Sequence, residues 1–359
     1  MEDVVIPSSS FWAGKRVLLT GHTGFKGSWA SLWLRKLGAD VFGLALEPDT
    51  QPALWNLLGR PFLDGSLGDI RNSAVVNALF DARQPEIVIH MAAQALVHPS
   101  YADPVTTFST NIMGLIHVLE AARRTPSVRA FVNVTSDKCY ENREQIWAYR
   151  EDEPMGGSDP YSASKGCAEL VTASYRRSFF NLPQGPRLAS GRAGNVIGGG
   201  DWSEDRLVAD CVRAFQTGSL VLLRNPLATR PWQFVLEPIS GYLALAQALY
   251  ERGSEVAEGW NFAPPDEDAW TVGRVVERLI DAWGSGASWA PDKDMRAKEA
   301  MLLRVDATKA RLRLGWRPRL PLTEALGWTV DWHKAVAAGE PALDVTIRQI
   351  ECFEKLLPA

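Results

Sequence analysis

Short aliphatic runs alternate with longer amphipathic ones from Lys15 onward, a rhythm that restricts the possible folds more than any other feature of the chain. The runs "RVLLTG", "DVFGLAL", "EIVIHMAA" and "AFVNVTS" are almost unbroken in their apolar character, so each predicts a strand buried on both faces. Between them lie stretches such as "GSWASLWLRKLG", where Trp29, Leu32, Trp33 and Leu37 recur at three- and four-residue spacing and predict a helix. Strands of this kind separated by helices form an α/β fold, a parallel sheet covered on both faces. Right-handed crossovers bring the strands' C-terminal ends to one edge, where ligands of open α/β sheets bind.

After about Phe180 the texture changes to "NLPQGP", the glycine-rich "GNVIGGGDW" and mixed short strands and helices. Residues 11–186 are therefore expected to form the first domain, and residues 187–359 mainly a smaller mixed α/β lobe. "RPWQFVLEPISGYLALAQALYERG" reads as a strand, a turn at Pro238 and a helix, with roughly 232–255 returning to the first sheet. A ligand cleft between the lobes follows from that arrangement.

Composition narrows the function classes. Lys plus Arg number 38 against 42 Asp plus Glu, a net charge of -4, which leaves no footprint for nucleic acid or an anionic membrane. Cys139, Cys167, Cys211 and Cys352 show no CxxC or Cys/His spacing, so no metal site is expected and reduced thiols in a cytoplasm are the default. "MEDVVIPSSS" is too polar for a signal peptide and is expected to be a loose tail. No run of about 18 apolar residues predicts a membrane span.

"VLLTGHTGFKGSW" leaves the first strand and enters the first helix through Gly21, Gly24 and Gly27. There Gly21 allows a tight turn, Gly24 admits a pyrophosphate and Gly27 lets helix pack on strand, while the N–H groups of the helix start face the phosphates. The first domain is thus expected to be a Rossmann-type doubly wound sheet that binds a dinucleotide. "LALEPDT", at the end of the second strand, offers Glu47 and Asp49 and no basic residue, which favours NAD over NADP. Asp69, in "GDI" after the third strand, lies where an adenine contact is expected.

"DPYSASKGCAEL" sets Tyr161 and Lys165 four residues apart on one face of a helix. A phenol is a poor base at neutral pH, but a neighbouring ammonium and a nicotinamide cation favour its phenolate. Tyr161 could then take a proton from a sugar hydroxyl as hydride leaves. "NVTSDKCYEN" ends a buried strand in Ser136, Asp137 and Lys138. That is either a polar surface turn or an active site at the sheet's C-terminal edge.

Six motifs occur in order: the glycine triplet, "HMAAQ" at 90–94, "TNIMG" at 110–114, "VTSDK" at 134–138, Tyr161 with Lys165, and "RAGNVIGGGDW" at 192–202. Together they resemble the extended short-chain dehydrogenase/reductases that act on nucleotide sugars. "LRVDATKARLRLGWRP" extends the likeness, which covers nearly the whole chain from Phe11. The wording of "GHTGFKGSW", "TSDKCY" and "GNVIGGGDW" is most similar to the branch acting on CDP-glucose.

The resemblance implies oxidation of glucose C4 by NAD, loss of water across C5 and C6, and return of the hydride to C6. Oxidation comes first because the new ketone acidifies the C5 proton. Cofactor contacts are implied for Gly21, Gly24, Phe25, Gly27, Glu47, Asp69, Ile70, Ala92, Ala93, Gln94, Asn111, Thr135, Tyr161 and Lys165. Ser136 would hydrogen-bond the C4 oxygen, and Asp137, kept protonated by an apolar pocket, would donate to the departing C6 hydroxyl. The related dTDP-glucose dehydratases carry Glu directly after this Asp, whereas this chain has Lys138, the residue associated with the CDP-glucose branch. A lysine serves as the C5 base only where its surroundings disfavour the ammonium. Substrate contacts are implied for Ser136, Arg192, Asn195, Arg206, Arg224 and Arg230, with Arg230 matching the family's phosphate-binding arginine. Helices such as "TFSTNIMGLIHVLEAARR" and the Tyr161 helix suit a homo-oligomer, dimer or tetramer.

Two rival readings share this fold. A nucleotide-sugar 4-epimerase needs no acid to expel water, so the adjacent Asp137 and Lys138 argue against it. A non-catalytic NAD-sensing protein would dispense with the Tyr161 and Lys165 pair. His22 and Lys26 read as helix caps, His98 as a satisfied polar residue, and Cys139 and Cys167 as small buried apolar groups.

Overall fold

The four apolar runs fold as strands: β1 (Arg16–Thr20), β2 (Asp40–Ala45), and, after the short β3 (Asp64–Leu67), β4 (Ile87–His90) and β5 (Ala130–Val134). The computed structural model describes residues 7–59, 64–180, 182, 185–284, 286–292 and 301–358. β6 (Arg187–Ala193) continues the sheet beyond β5. β7 (Asn195–Ile197), β8 (Leu220–Leu223) and β9 (Thr229–Phe234) leave it, and β10 (Gly259–Phe262) returns to pair with β6. All seven strands run parallel in the order β10-β6-β5-β4-β1-β2-β3. The order reverses between β1 and β4, and the crevice at such a reversal is where doubly wound sheets bind ligands.

Each face of the sheet has its own core because strand side chains alternate. Val17 and Leu19 belong to one cluster with Trp29, Trp33 and Leu236, whereas Leu18 joins Phe42, Val88, Phe131 and Leu188 in the other. The helices covering the sheet are α1 (Phe25–Lys36), α2 (Ser73–Arg83), α3 (Leu115–Arg124) and α4 (Pro160–Tyr175). α1 is buried from Gly27 to Leu34 on every side rather than along one stripe. Trp29 Nε1 donates to the Gly199 carbonyl at 2.9 Å, and Trp33 Nε1 to Glu354 Oε1 at 3.0 Å, so the second lobe and the C-terminal helix cover its outer face.

In the second lobe β9 pairs with β7 on one side and with β11 (Ala269–Thr271) on the other, and β8 pairs with β12 (Ser288–Pro291). Its helices are α5 (Leu207–Thr217), α7 (Val272–Trp283) and α8 (Leu322–Ala337); α6 (Leu236–Arg252) packs back on the main sheet, and α9 (Ala342–Glu354) ends the chain. Three expectations change. Pro238 lies inside the first turn of α6, where a missing N–H is tolerated, and makes no separate turn. β9 belongs to the small sheet, so within residues 232–255 it is α6 that packs on the main sheet, and β10 then adds a strand to it. At the N-terminus, residues 1–6 lie outside the described residues, but Ser9–Trp12 form a helical turn with Trp12 fully buried, so that part is no loose tail.

Candidate functional site

The glycine loop closes the C-terminal end of β1. Gly21 has φ +75°, and a Cβ there would fall 2.8 Å from the Ala92 nitrogen. Gly27 is as tightly constrained, since a Cβ would lie 2.0 Å from the Gly21 carbonyl oxygen. Gly24 differs: the nearest atom to its added Cβ is 3.5 Å away, and it caps α1 with no side chain. The first-turn N–H groups of a helix have no intrahelical partner, so this loop presents an open, positively polarised cradle that fits a pyrophosphate. Thr23 Oγ1 donates to the Leu46 carbonyl at 2.8 Å, fastening the loop to the end of β2 beside exposed Glu47.

Across the crevice the Met91 and Ala92 nitrogens donate to Thr20 Oγ1, each at 3.1 Å. The Thr20 proton is left for His90 Nδ1, 2.8 Å away, and burial drives that imidazole down to about 3, so it stays neutral. This holds the 91–94 loop, with half-buried Ala93 and Gln94, against the glycine turn.

Several residues expected at the cofactor have other partners. Asn111 sits in a π-helical turn, Ser109–Gly114, and gives its amide protons to the Gln94 carbonyl (3.0 Å) and Ser164 Oγ (2.8 Å). It therefore ties the 91–94 loop to α4. Thr135 gives its hydroxyl proton to Glu169 Oε1 at 2.6 Å. Ile70 is in the core, its Cδ1 2.5 Å from where a Cβ on Gly114 would stand. The Asp69 carboxylate takes both a backbone and a guanidinium bond from Arg71, which holds it below the usual range. Phe25 packs toward Gly198 in the second lobe.

α4 begins where it does because Asp159 caps it, accepting from the Ser162 nitrogen at 2.9 Å, with Pro160 at the first position. That start puts Tyr161 and Lys165 on the buried face, 8% and 6% exposed, with Lys165 Nζ 6.0 Å from the Tyr161 ring. Burial pushes the Tyr161 phenol up to about 12, a hydrogen bond from Ser136 countering part of the rise. Burial pushes the Lys165 ammonium down to about 8.

The question posed by the β5 end is answered by burial. Asp137 is 2% exposed. Its Oδ1 accepts from Ser136 Oγ at 3.0 Å, while Oδ2 is buried and unpaired. Desolvation raises its pKa against the pull of Lys138 and Arg230. A Cβ on Gly194 would lie 2.9 Å from Asp137 Oδ2, so a side chain there would crowd the carboxyl. A buried carboxyl with a raised pKa and an unpaired oxygen, beside a phenol and two lysines, is not a surface turn, and its surroundings favour the proton that a general acid must carry.

On the second lobe, Asn195 pairs in register with Trp232, which places it next to the strand carrying Arg230. Arg230 is 8% exposed and acts on Asp137 electrostatically. Arg206 pairs with Asp201 at 3.0 Å and lowers the pKa of Tyr161, so it reaches the crevice. Arg224 stands at the rim, with Nη1 2.7 Å from His98 Nε2 and Nη2 3.3 Å from Asp205. Arg192 does not face the crevice. It is 4% exposed, with its fork on Glu169, Tyr140 and the Glu151 carbonyl.

Two residues were misjudged from the sequence. Lys26, read as a cap, is half-buried near Arg206, Lys165, Asp137 and Asp201, and desolvation followed by the two cations lowers it to about 7. His22 caps nothing: it lies buried edge-on to Trp55 over Gly43, with both ring nitrogens unpaired, and burial lowers it to about 4. A lysine inside a phosphate loop was the available signal for the first.

A family model described as GDP-mannose 4,6 dehydratase matches residues 18–327. Over 349 residues the chain is 52% identical to a CDP-glucose 4,6-dehydratase of Salmonella typhimurium, covering 96% of this chain and 97% of that one. It is 24% identical over 342 residues to a dTDP-glucose 4,6-dehydratase of Xanthomonas campestris pv. campestris, covering 88% and 92%. Among solved structures, a UDP-glucose 4-epimerase of Thermus thermophilus in complex with NAD superposes with a TM-score of 0.74 at 26% identity, covering 89% of this chain and 99% of that one.

Proposed function

The chain belongs to the GDP-mannose 4,6-dehydratase family, and we propose that it dehydrates CDP-glucose to CDP-4-keto-6-deoxyglucose with NAD as a bound, regenerated cofactor. The observation that carries the reaction is the buried carboxyl of Asp137 beside Tyr161, with Oδ2 unpaired and its pKa raised by desolvation. An epimerase has no use for such an acid. The nucleotide follows from the likeness at 52% identity.

The cradle at Gly21, Gly24 and Gly27 would hold the pyrophosphate of the cofactor, with Glu47 at the adenosine ribose. The chemistry NAD supplies there is storage of a hydride, taken from C4 and given back at C6. Tyr161 takes the C4 hydroxyl proton at Oη. Its phenol, at about 12 in the protein alone, reaches the phenolate through Lys165 and the positive charge that binding brings. Ser136 holds the C4 oxygen. Asp137 then gives its proton to the C6 hydroxyl as it leaves, and Lys138 removes the proton at C5. Arg230 and Asn195 hold the diphosphate, with Arg206 and Arg224 at the mouth of the crevice.

The product suits deoxysugar synthesis for a surface polysaccharide in the cytoplasm. Val105, Met113 and Leu170 are exposed on the helices flanking the site, which supports a homo-oligomer built across them. Purified protein given CDP-glucose deuterated at C4, beside UDP- and dTDP-glucose, tests the reading by NMR. Deuterium at C6 of a 4-keto-6-deoxy product from the CDP sugar alone is expected. Label retained at C4 of a galactose-configured product would make the protein an epimerase, and no turnover of any substrate would favour a binding protein.

A further inference from the structure

Glu169 lies one helical turn beyond Lys165 on α4 and is 4% exposed. Its Oε1 accepts from Thr135 Oγ1 at 2.6 Å, and its Oε2 accepts from Ser190 Oγ at 2.7 Å and Arg192 Nη2 at 2.8 Å. The other arm of Arg192 donates to Tyr140 Oη at 2.7 Å and to the Glu151 carbonyl at 3.1 Å. Tyr140 Oη passes its own proton to Asn261 Oδ1 at 2.8 Å. Thr135 directly precedes Ser136, and Tyr140 follows Lys138 by two residues. One buried ion pair therefore grips the Ser136–Lys138 turn at both ends and fastens it to the helix that carries Tyr161 and Lys165. The backbone leaves room for it: a Cβ on Gly259 would lie 2.4 Å from Arg192 Nη2.

We propose that Glu169 and Arg192 are positioning residues for the elimination step: their ion pair sets where Asp137 and Lys138 stand relative to Tyr161, without touching substrate or cofactor. The proposal rests on the dehydratase reading above. Arginine is required because a planar fork reaches Glu169 and Tyr140 at once, which a lysine cannot do. C4 oxidation depends chiefly on Tyr161 and Lys165, which ride on α4 itself, and on the gripped turn only through Ser136, so it is slowed less than elimination. Elimination depends on the acid and base of the gripped turn, and a displacement of about 1 Å there costs on the order of 100-fold.

Glu169→Gln, Arg192→Lys and the milder Tyr140→Phe are compared with the wild type on CDP-glucose. The readouts are formation of enzyme-bound NADH in a single turnover, exchange of the C5 proton with solvent, kcat, KM and melting temperature. The expected result is NADH formation slowed less than C5 exchange, so that bound NADH accumulates, with KM within about twofold. On that geometry kcat falls about 100-fold in Glu169→Gln and Arg192→Lys and about tenfold in Tyr140→Phe. Wild-type kcat in Arg192→Lys would overturn the proposal, as would NADH formation and kcat falling together in step with the melting temperature, the mark of a purely structural pair. If the two charged variants do not fold, folded Tyr140→Phe with unchanged kcat overturns it. A wild type that makes no 4-keto-6-deoxy product would sink the dehydratase reading and the pair's role with it; unaffected variants beside an active wild type would sink the pair alone.

Discussion

Asp137 shows how a single side chain acquires its chemistry. Water would ionise it at neutral pH, but at 2% exposure, with Oδ2 bonded to nothing, desolvation disfavours the charged form and raises its pKa against the pull of Lys138 and Arg230. Asp137→Asn keeps the shape and removes the transferable proton. Its kcat is expected to fall about 100- to 10,000-fold, while C4 oxidation continues and bound NADH builds up on mixing with CDP-glucose. Equal loss of NADH formation would show that the carboxyl serves oxidation instead. The strand-end residues Ser136, Asp137 and Lys138 and the Tyr161 and Lys165 spacing were legible in the sequence because they are local. What Arg192 touches was not, since its partners on α4 and after β5 are 23 and 52 residues away in the chain.

At the scale of elements, the glycine loop separates two functions that one motif carries. Gly27 is constrained by its neighbours and Gly24 by what must approach it. Gly27→Ala drives a methyl toward the Gly21 carbonyl and should cost about 1–3 kcal/mol or more, seen as a drop of several degrees in melting temperature. Gly24→Ala has room for the methyl and should leave the melting temperature unchanged while weakening NAD binding about tenfold or more, roughly 1.4 kcal/mol, measured by titration calorimetry. A matching loss of stability in both variants would mean that Gly24 serves packing only. Helix and strand periodicity predicted β1, α1 and β2 well. It missed that α1 is buried all round, because a sequence pattern shows which faces are apolar but not which other elements arrive to cover them.

At the scale of the whole molecule, the two lobes meet partly through Glu237. It starts α6 on the main sheet, and its Oε1 accepts from the Arg319 and Leu320 nitrogens, both at 2.7 Å, just before α8 of the second lobe. Its Oε2 is buried and unpaired, and desolvation raises the carboxyl to about 7. Because the folded value lies above the unfolded one, the folded state holds this proton more tightly, and stability is lost as pH rises from 4.5 through about 7. Glu237→Gln keeps the Oε1 acceptor without the charge, so its melting temperature should gain on the wild type as pH rises across that window, by an amount on the order of 3 kcal/mol. A difference independent of pH would show that the carboxyl stays ionised throughout. By itself the sequence determined the parallel α/β sheet, the phosphate loop on its first strand and the acid, phenol and lysines of the site, because each is written in spacing over a few residues. Only the tertiary structure decided that β10 completes the sheet, that Lys26 comes near Asp137 and Lys165 and that Arg192 bonds to Tyr140 and Glu169 beside the Ser136–Lys138 turn. Those outcomes depend on which distant segments share a buried volume, and burial, which sets both packing and the charge of an ionisable group, is a property of the folded chain.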